Sequence, residues 1–159
     1  MVPLSVKVSK KYDGNSLLPN SNSHTVIEEQ NTIDRWIDLN LKFNTSFEQK
    51  KYLFPNASPS IIENDFKKSL EIILSLFPEK ISIGVSDDEC VYIYFEKGNK
   101  SVYFDLFFEP EQETEASVIV FENKVSNLSF IDYLDNSINI LKKEFVTEDE
   151  LSFQTLTAI

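Results

Sequence analysis

Between residues 81 and 121 the chain alternates apolar and polar side chains in runs too short for helices and too regular for loops. Ile81, Ile83 and Val85 recur at every second position, then Val91, Ile93 and Phe95, then Val102, Phe104, Leu106 and Phe108. A period of two puts each set on one face of a strand. Asp87-Asp88 and Lys97-Gly98-Asn99-Lys100 separate the runs with turn chemistry, and Gly98 and Asn99 both tolerate positive φ. A fourth strand, residues 118–121, follows an acidic loop in which Pro110 bars strand continuation. Consecutive strands joined by short turns predict an antiparallel meander.

Two helical patterns flank it. From Ser58, Ile62, Phe66, Leu70, Ile73 and Phe77 recur at helical spacing until Pro78 stops them. Ser58 before Pro59 predicts a capping hydroxyl, with Ser60 and Glu63 as an alternative box. After the sheet, Ile131, Leu134, Ile138, Leu141 and Phe145 form one apolar stripe, with Ser126 or Asn127 as the cap. Asp132 and Asp135 lie early and Lys142 and Lys143 late, which suits the helix dipole.

The predicted fold is α+β: a four-stranded antiparallel meander with a helix before it and a helix after it, both packed on one face. The 159 residues divide into a flexible leader (1–23), an N-terminal arm covering the sheet or its edge (24–54), the core domain (55–146) and a short helix or tail (147–159). The leader has room for a strand over 4–8, and Thr147 and Glu150 could box the start of the terminal helix. In the arm, Ile33, Trp36, Ile37 and Leu41 suit a helix, whereas residues 36–43 (WIDLNLKF) alternate as a strand does. The alternation favours a strand over 36–43, which the arm could add to the sheet, with a short helix over 46–53 capped by Ser46.

Several chemistries lack their parts. The single histidine, His24, sits in a polar stretch with nothing to orient it as a catalytic base. Three glycines, Gly14, Gly84 and Gly98, provide neither a phosphate loop nor a dinucleotide fingerprint. Cys90, the lone cysteine, follows three acids that raise a thiol pKa. Asp87-Asp88-Glu89 lacks the spacing of a calcium loop.

With a net charge of −11 and one arginine, Arg35, the chain does not suit a polyanion, so no nucleic-acid partner is expected. A basic protein partner is favoured instead. No apolar run is long enough for a membrane helix, no signal peptide is visible, and a cytoplasmic location follows by default. The bias to Lys, Asn, Ile and Phe resembles that of proteins from AT-rich bacterial genomes.

Two sets of residues are candidates for a site. On the sheet face opposite Phe104 and Leu106 stand Tyr92, Tyr94, Tyr103 and Phe107, cross-strand neighbours in a simple hairpin register. Left uncovered, they form an aromatic patch of the kind that marks an interface; the arm, through Trp36, Leu39 and Phe43, is the alternative cover. Glu109, Glu111, Glu113 and Glu115 beside it suit a basic partner. The second set is Asp105 with Glu122 and Lys124. An acid on one strand and E-x-K on the next resembles the PD-(D/E)xK nuclease pattern. That resemblance implies Mg²⁺ held by Asp105 and Glu122, Lys124 as the catalytic cation, and Glu63 or Glu71 as a further acid.

A second resemblance covers about a third of the chain. Pro59, Ser69, Ile72, Ile73, Leu76, Phe77 and Pro78, then Asp87-Asp88 and Val91, Ile93 and Phe95, resemble a helix–strand–turn–strand region of small uncharacterised bacterial proteins. Phe77-Pro78 stands where those proteins have Leu-Pro, and Asp88 is not followed by Gly. The resemblance implies no known activity and favours an accessory role. The leading expectation is a non-enzymatic protein-binding module without cofactor: an antitoxin, an immunity protein or a phage-defence accessory subunit. The Mg²⁺-dependent nuclease and a self-associating structural subunit, paired through a strand edge, are the alternatives.

Overall fold

The computed structural model describes residues 21–146, with side chains from residue 30. The chain forms α1 (Ser21–Lys50), a 3-10 turn (Lys51–Leu53), α2 (Pro59–Leu74), five strands and α3 (Leu134–Glu144). The strands are β1 (Lys80–Ser86), β2 (Cys90–Lys97), β3 (Lys100–Phe107), β4 (Glu115–Glu122) and β5 (Val125–Tyr133). They make one antiparallel sheet in the order β1-β2-β3-β4-β5, so the meander is real but has five strands, not four. The strand foreseen over 4–8 and the short helix foreseen from Thr147 lie outside the described residues. None of the described helices is long and apolar enough to cross a membrane.

All three helices contribute to one core on one face of the sheet. Val91, Ile93, Phe95, Val102, Phe104, Leu106, Val118 and Val120 point into it and are fully buried. From α2 come Ile62, Phe66, Leu70 and Ile73; from α3 come Leu134, Ile138 and Leu141. Burying each such side chain stabilises the fold by about 1.5–3 kcal/mol before entropy is counted. Ser58 occupies the N-cap position of α2, but its hydroxyl meets that of Ser60 and makes no capping bond; the Ser58 carbonyl accepts from the Ile62 N–H at 3.1 Å.

The arm is a helix where alternation favoured a strand. Leu39, Phe43 and Phe47 are buried at i, i+4 and i+8, and Trp36 packs beside them. Phe43 stacks on Phe66 of α2 with ring centres 3.9 Å apart. Ile33, Ile37 and Leu41 form a separate stripe, 51%, 53% and 62% exposed. Two helical stripes, one buried and one exposed, interleave at odd positions and imitate strand alternation. Ser46 therefore lies inside α1 and caps nothing. Its hydroxyl accepts from the Val85 N–H at 3.3 Å, and Lys50 donates to the Val85 carbonyl at 3.2 Å. Arg35 donates to the carbonyls of Pro78 and Glu79 just before β1. Thus α1 covers the core face and blocks part of the outer edge of β1.

The fifth strand occupies residues 125–133, where the sequence pattern predicts the cap and first turn of a helix. Asn123 and Lys124 both take positive φ, 52° and 68°, as a two-residue hairpin turn of type I′ requires. The usual glycine at its second position is missing, which hid the turn. Leu128 and Phe130 lean into the core, and Asn127 is the extra residue at a register shift opposite Val120 and Phe121. Ile131 therefore belongs to a strand; the helical stripe begins only at Leu134, after Tyr133 at the N-cap.

Candidate functional site

Strand alternation leaves a second face on the sheet, and no described element packs over it. Register assembles it in rows. Gly84 faces Tyr92, Tyr92 faces Asp105, Asp105 faces Ser117, and Ser117 faces Ile131. The next row is Ser82, Tyr94, Tyr103, Ile119 and Ser129. Phe107, Glu115 and Tyr133 form a third at one end. Tyr103, Ile131 and Tyr133 are 46%, 67% and 52% exposed, and Tyr92, Tyr94 and Phe107 are half-buried by their neighbours. Trp36, Leu39 and Phe43 lie on the other side of the sheet. Among the described residues the arm does not cover the aromatic face.

The aromatic rings form a connected set. Tyr94 and Tyr103 lie 4.8 Å apart at 52°, and Tyr103 meets Phe121 edge-on at 5.8 Å. The Tyr94 hydroxyl donates to Glu96 at 2.5 Å, and that bond is the first cause of its raised pKa. Tyr92 leans the other way, across Gly84 on β1.

Between these rings lies an open groove of about 430 Å³, lined by Tyr92, Tyr94, Tyr103, Asp88, Cys90 and Asp105 among others. No lysine or arginine lines it. Burial among the rings, then the nearby charge of Asp88, pushes the Asp105 carboxyl above its ordinary range. The Cys90 thiol, buried at the rim, is pushed up to about 11 by burial first and by Asp105 second. It is neutral at physiological pH and no nucleophile.

Acids gather at the Cys90–Phe107 end of the sheet. Asp87, Asp88 and Glu89 form the β1–β2 turn, and Glu109, Glu111 and Glu113 stand exposed on the β3–β4 loop. Glu115 begins β4 on the open face, between Phe107 and Tyr133. Lys50 pairs with Asp87 at 3.1 Å and Lys68 with Asp135. A second groove of about 430 Å³ lies at this end between Tyr52, Asp88, Glu89, Phe107 and Glu109. The sequence candidates Tyr92, Tyr94, Tyr103, Phe107, Glu109, Glu111, Glu113 and Glu115 thus share one face and the loop at its end.

The nuclease set is not brought together. Asp105 faces Ser117 in mid-strand on the open face. Glu122 is five residues farther along β4 and has the parity of Val118 and Val120, on the core side. Lys124 sits in the β4–β5 turn, and Glu63 is occupied by Lys67 at 2.8 Å. Among the described residues no group of three or more His, Cys, Asp or Glu side chains could hold a metal ion.

Sequence reasoning missed four members of the face: Ile119, Phe121, Ile131 and Tyr133. The first two were available from alternation with Val118 and Val120. The others were hidden by the helical reading of β5. No family model, no curated protein and no solved structure matches this chain, so its site is defined by its own geometry.

Proposed function

We propose that the protein is a non-enzymatic binding module that occludes a basic partner protein through its open sheet face and the acidic loop at the end of that face. An antitoxin, an immunity protein or a phage-defence accessory subunit would act in this way. One observation carries the reading: the face opposite the core is rich in Tyr, Phe and Ile, and none of the described elements lies on it. A patch of that kind, rimmed by charge, has the composition of an interface core. The adjacent carboxylates and the net charge of −11 favour a basic partner and steer its approach.

The test is co-purification of the full-length chain with the product of a neighbouring gene. The complex is expected to weaken as salt rises, and to be lost with Tyr94→Ser/Tyr103→Ser but not with Ile61→Ser on α2. Equal capture by the wild type and the double variant overturns the reading.

A second reading, self-association, is favoured by the unequal edges of the sheet. The Val85 end of the β1 edge is occupied by Ser46 and Lys50. On β5, the Leu134 N–H bonds the Thr114 carbonyl, which sets the ladder phase and turns the backbone groups of Ser129 and Ile131 outward. No charge lies within residues 125–131, so two copies could pair there antiparallel without opposing like charges. A dimer that Ile131→Lys dissolves would support this reading, and a monomer at every concentration would remove it.

A further inference from the structure

The groove on the open face has a more specific chemistry than a generic apolar patch. Tyr92, Tyr94, Tyr103 and Asp105 line it from adjacent positions in two paired rows, together with Asp88, Cys90 and the small Ser82 and Ser86. The rings offer π faces, to which cations are drawn. Asp105 brings a negative charge, with Asp88 nearby on the turn. Among the described residues the Asp105 carboxylate has no cation or hydrogen-bond donor as a partner, although it shares the groove with three tyrosines.

The local sequence holds the groove open. Tyr92 is the cross-strand partner of Asp105 and could have folded over it. Instead its ring leans over Gly84, so closely that a Cβ there would come within 2.6 Å of the Tyr92 hydroxyl. Glycine at this position receives the ring and leaves the space above Asp105 free.

We infer that this groove receives an arginine side chain of the basic partner, its guanidinium stacked on the tyrosine rings and paired with Asp105. The inference rests on the docking reading above and names its anchor. Arginine fits better than lysine because its plane stacks on a ring while its fork bonds both carboxylate oxygens. The charge complementarity is local: the groove has acids and no basic residue in its lining.

The test titrates the full-length chain with N-acetyl-arginine amide and follows the tyrosine ring and backbone NMR signals. N-acetyl-citrulline amide, neutral and of the same shape, is the control. Saturable shifts at Tyr92, Tyr94, Tyr103 and Asp105 are expected with arginine, and binding about tenfold weaker with citrulline. Asp105→Asn, which keeps the shape, is expected to erase the difference between the two probes. Gly84→Ala, which pushes the Tyr92 ring back toward Asp105, is expected to weaken arginine binding with the fold intact by circular dichroism. Shifts that citrulline reproduces, or that Asp105→Asn leaves unchanged, overturn the arginine assignment. An arginine-rich peptide run alongside separates the two levels. If the peptide moves the face signals and the single amino acid does not, the arginine pocket is wrong and the docking face stands. If neither moves them, both fail.

Discussion

The Tyr92 hydroxyl would lie 2.6 Å from a Cβ placed at Gly84, so a ring on β2 occupies the space that a side chain at this one position of β1 would need. The pair is in direct register across the two strands. Aromatic cover of a strand glycine is a known stabilising device. The clash falls on the far end of the ring, which can swing away. Gly84→Ala should therefore cost about 1–2 kcal/mol in a urea melt. Loss of the folded state altogether would show that the ring cannot move.

Asp105 is a carboxylate whose surroundings disfavour its charge, through burial first and Asp88 second. Such a group binds its proton more tightly when folded. Its unfavourable contribution is absent at pH below the unfolded carboxylate range and grows as pH rises toward its higher folded value. Cys90, Asp88 and the tyrosines are the other titratable groups around it. Asp105→Asn should raise the urea midpoint at neutral pH, with the gain vanishing in acid. A carboxylate that weakens the free protein fits a role reserved for a partner.

Cys90 should be inert in the native protein. It is 5% exposed, and burial, then Asp105, pushes its thiol up to about 11. At pH 8, DTNB should label it only as fast as the protein opens, and immediately in denaturant. Because the folded pKa lies above the unfolded one, the fold should lose stability as pH rises from about 9 to about 11. Rapid native labelling would contradict the burial.

Phe43 joins the arm to the core through its stack on Phe66. Phe43→Ala should cost about 3–5 kcal/mol and loosen α1 from the sheet. The readout is a denaturation midpoint together with hydrogen exchange along α1, which should rise more than exchange in β2–β4.

The β4–β5 turn holds Lys124 at φ 68°, a conformation that disfavours a side chain. Lys124→Gly creates the Asn-Gly pair that type I′ turns prefer and should stabilise the protein by about 1 kcal/mol. No gain in the melting midpoint would mean that the lysine side chain compensates elsewhere.

Much of the sheet was legible because each strand from β1 to β4 has one wet or half-wet face, which writes its period into the residues. Ile93, Phe104 and Val118 report the core face; Tyr94, Tyr103 and Ile119 report the other. The two elements given the wrong type share one origin. In α1, exposed Ile37 and Leu41 interleave with buried Leu39 and Phe43, and a helix acquires a strand's period. At β5, Ile131 happens to stand three residues before Leu134, and a strand end joins a helical stripe. In both places an exposed apolar residue misled the pattern, because period identifies the core only when the outer positions are polar. The aromatic site was legible from Tyr92, Tyr94, Tyr103 and Phe107. The groove was not, because it depends on the direction in which Tyr92 leans and on the pairing that sets Asp105 opposite it.

The most direct test of the docking face is an NMR footprint of an arginine-rich peptide on the full-length chain at low salt. The expected result is saturable shifts along Tyr92, Tyr94, Tyr103, Phe107, Glu115 and Ile131, fading as salt rises, with α2 and α3 undisturbed. Shifts confined to the outer faces of the helices, or none on the sheet at any salt, would contradict it.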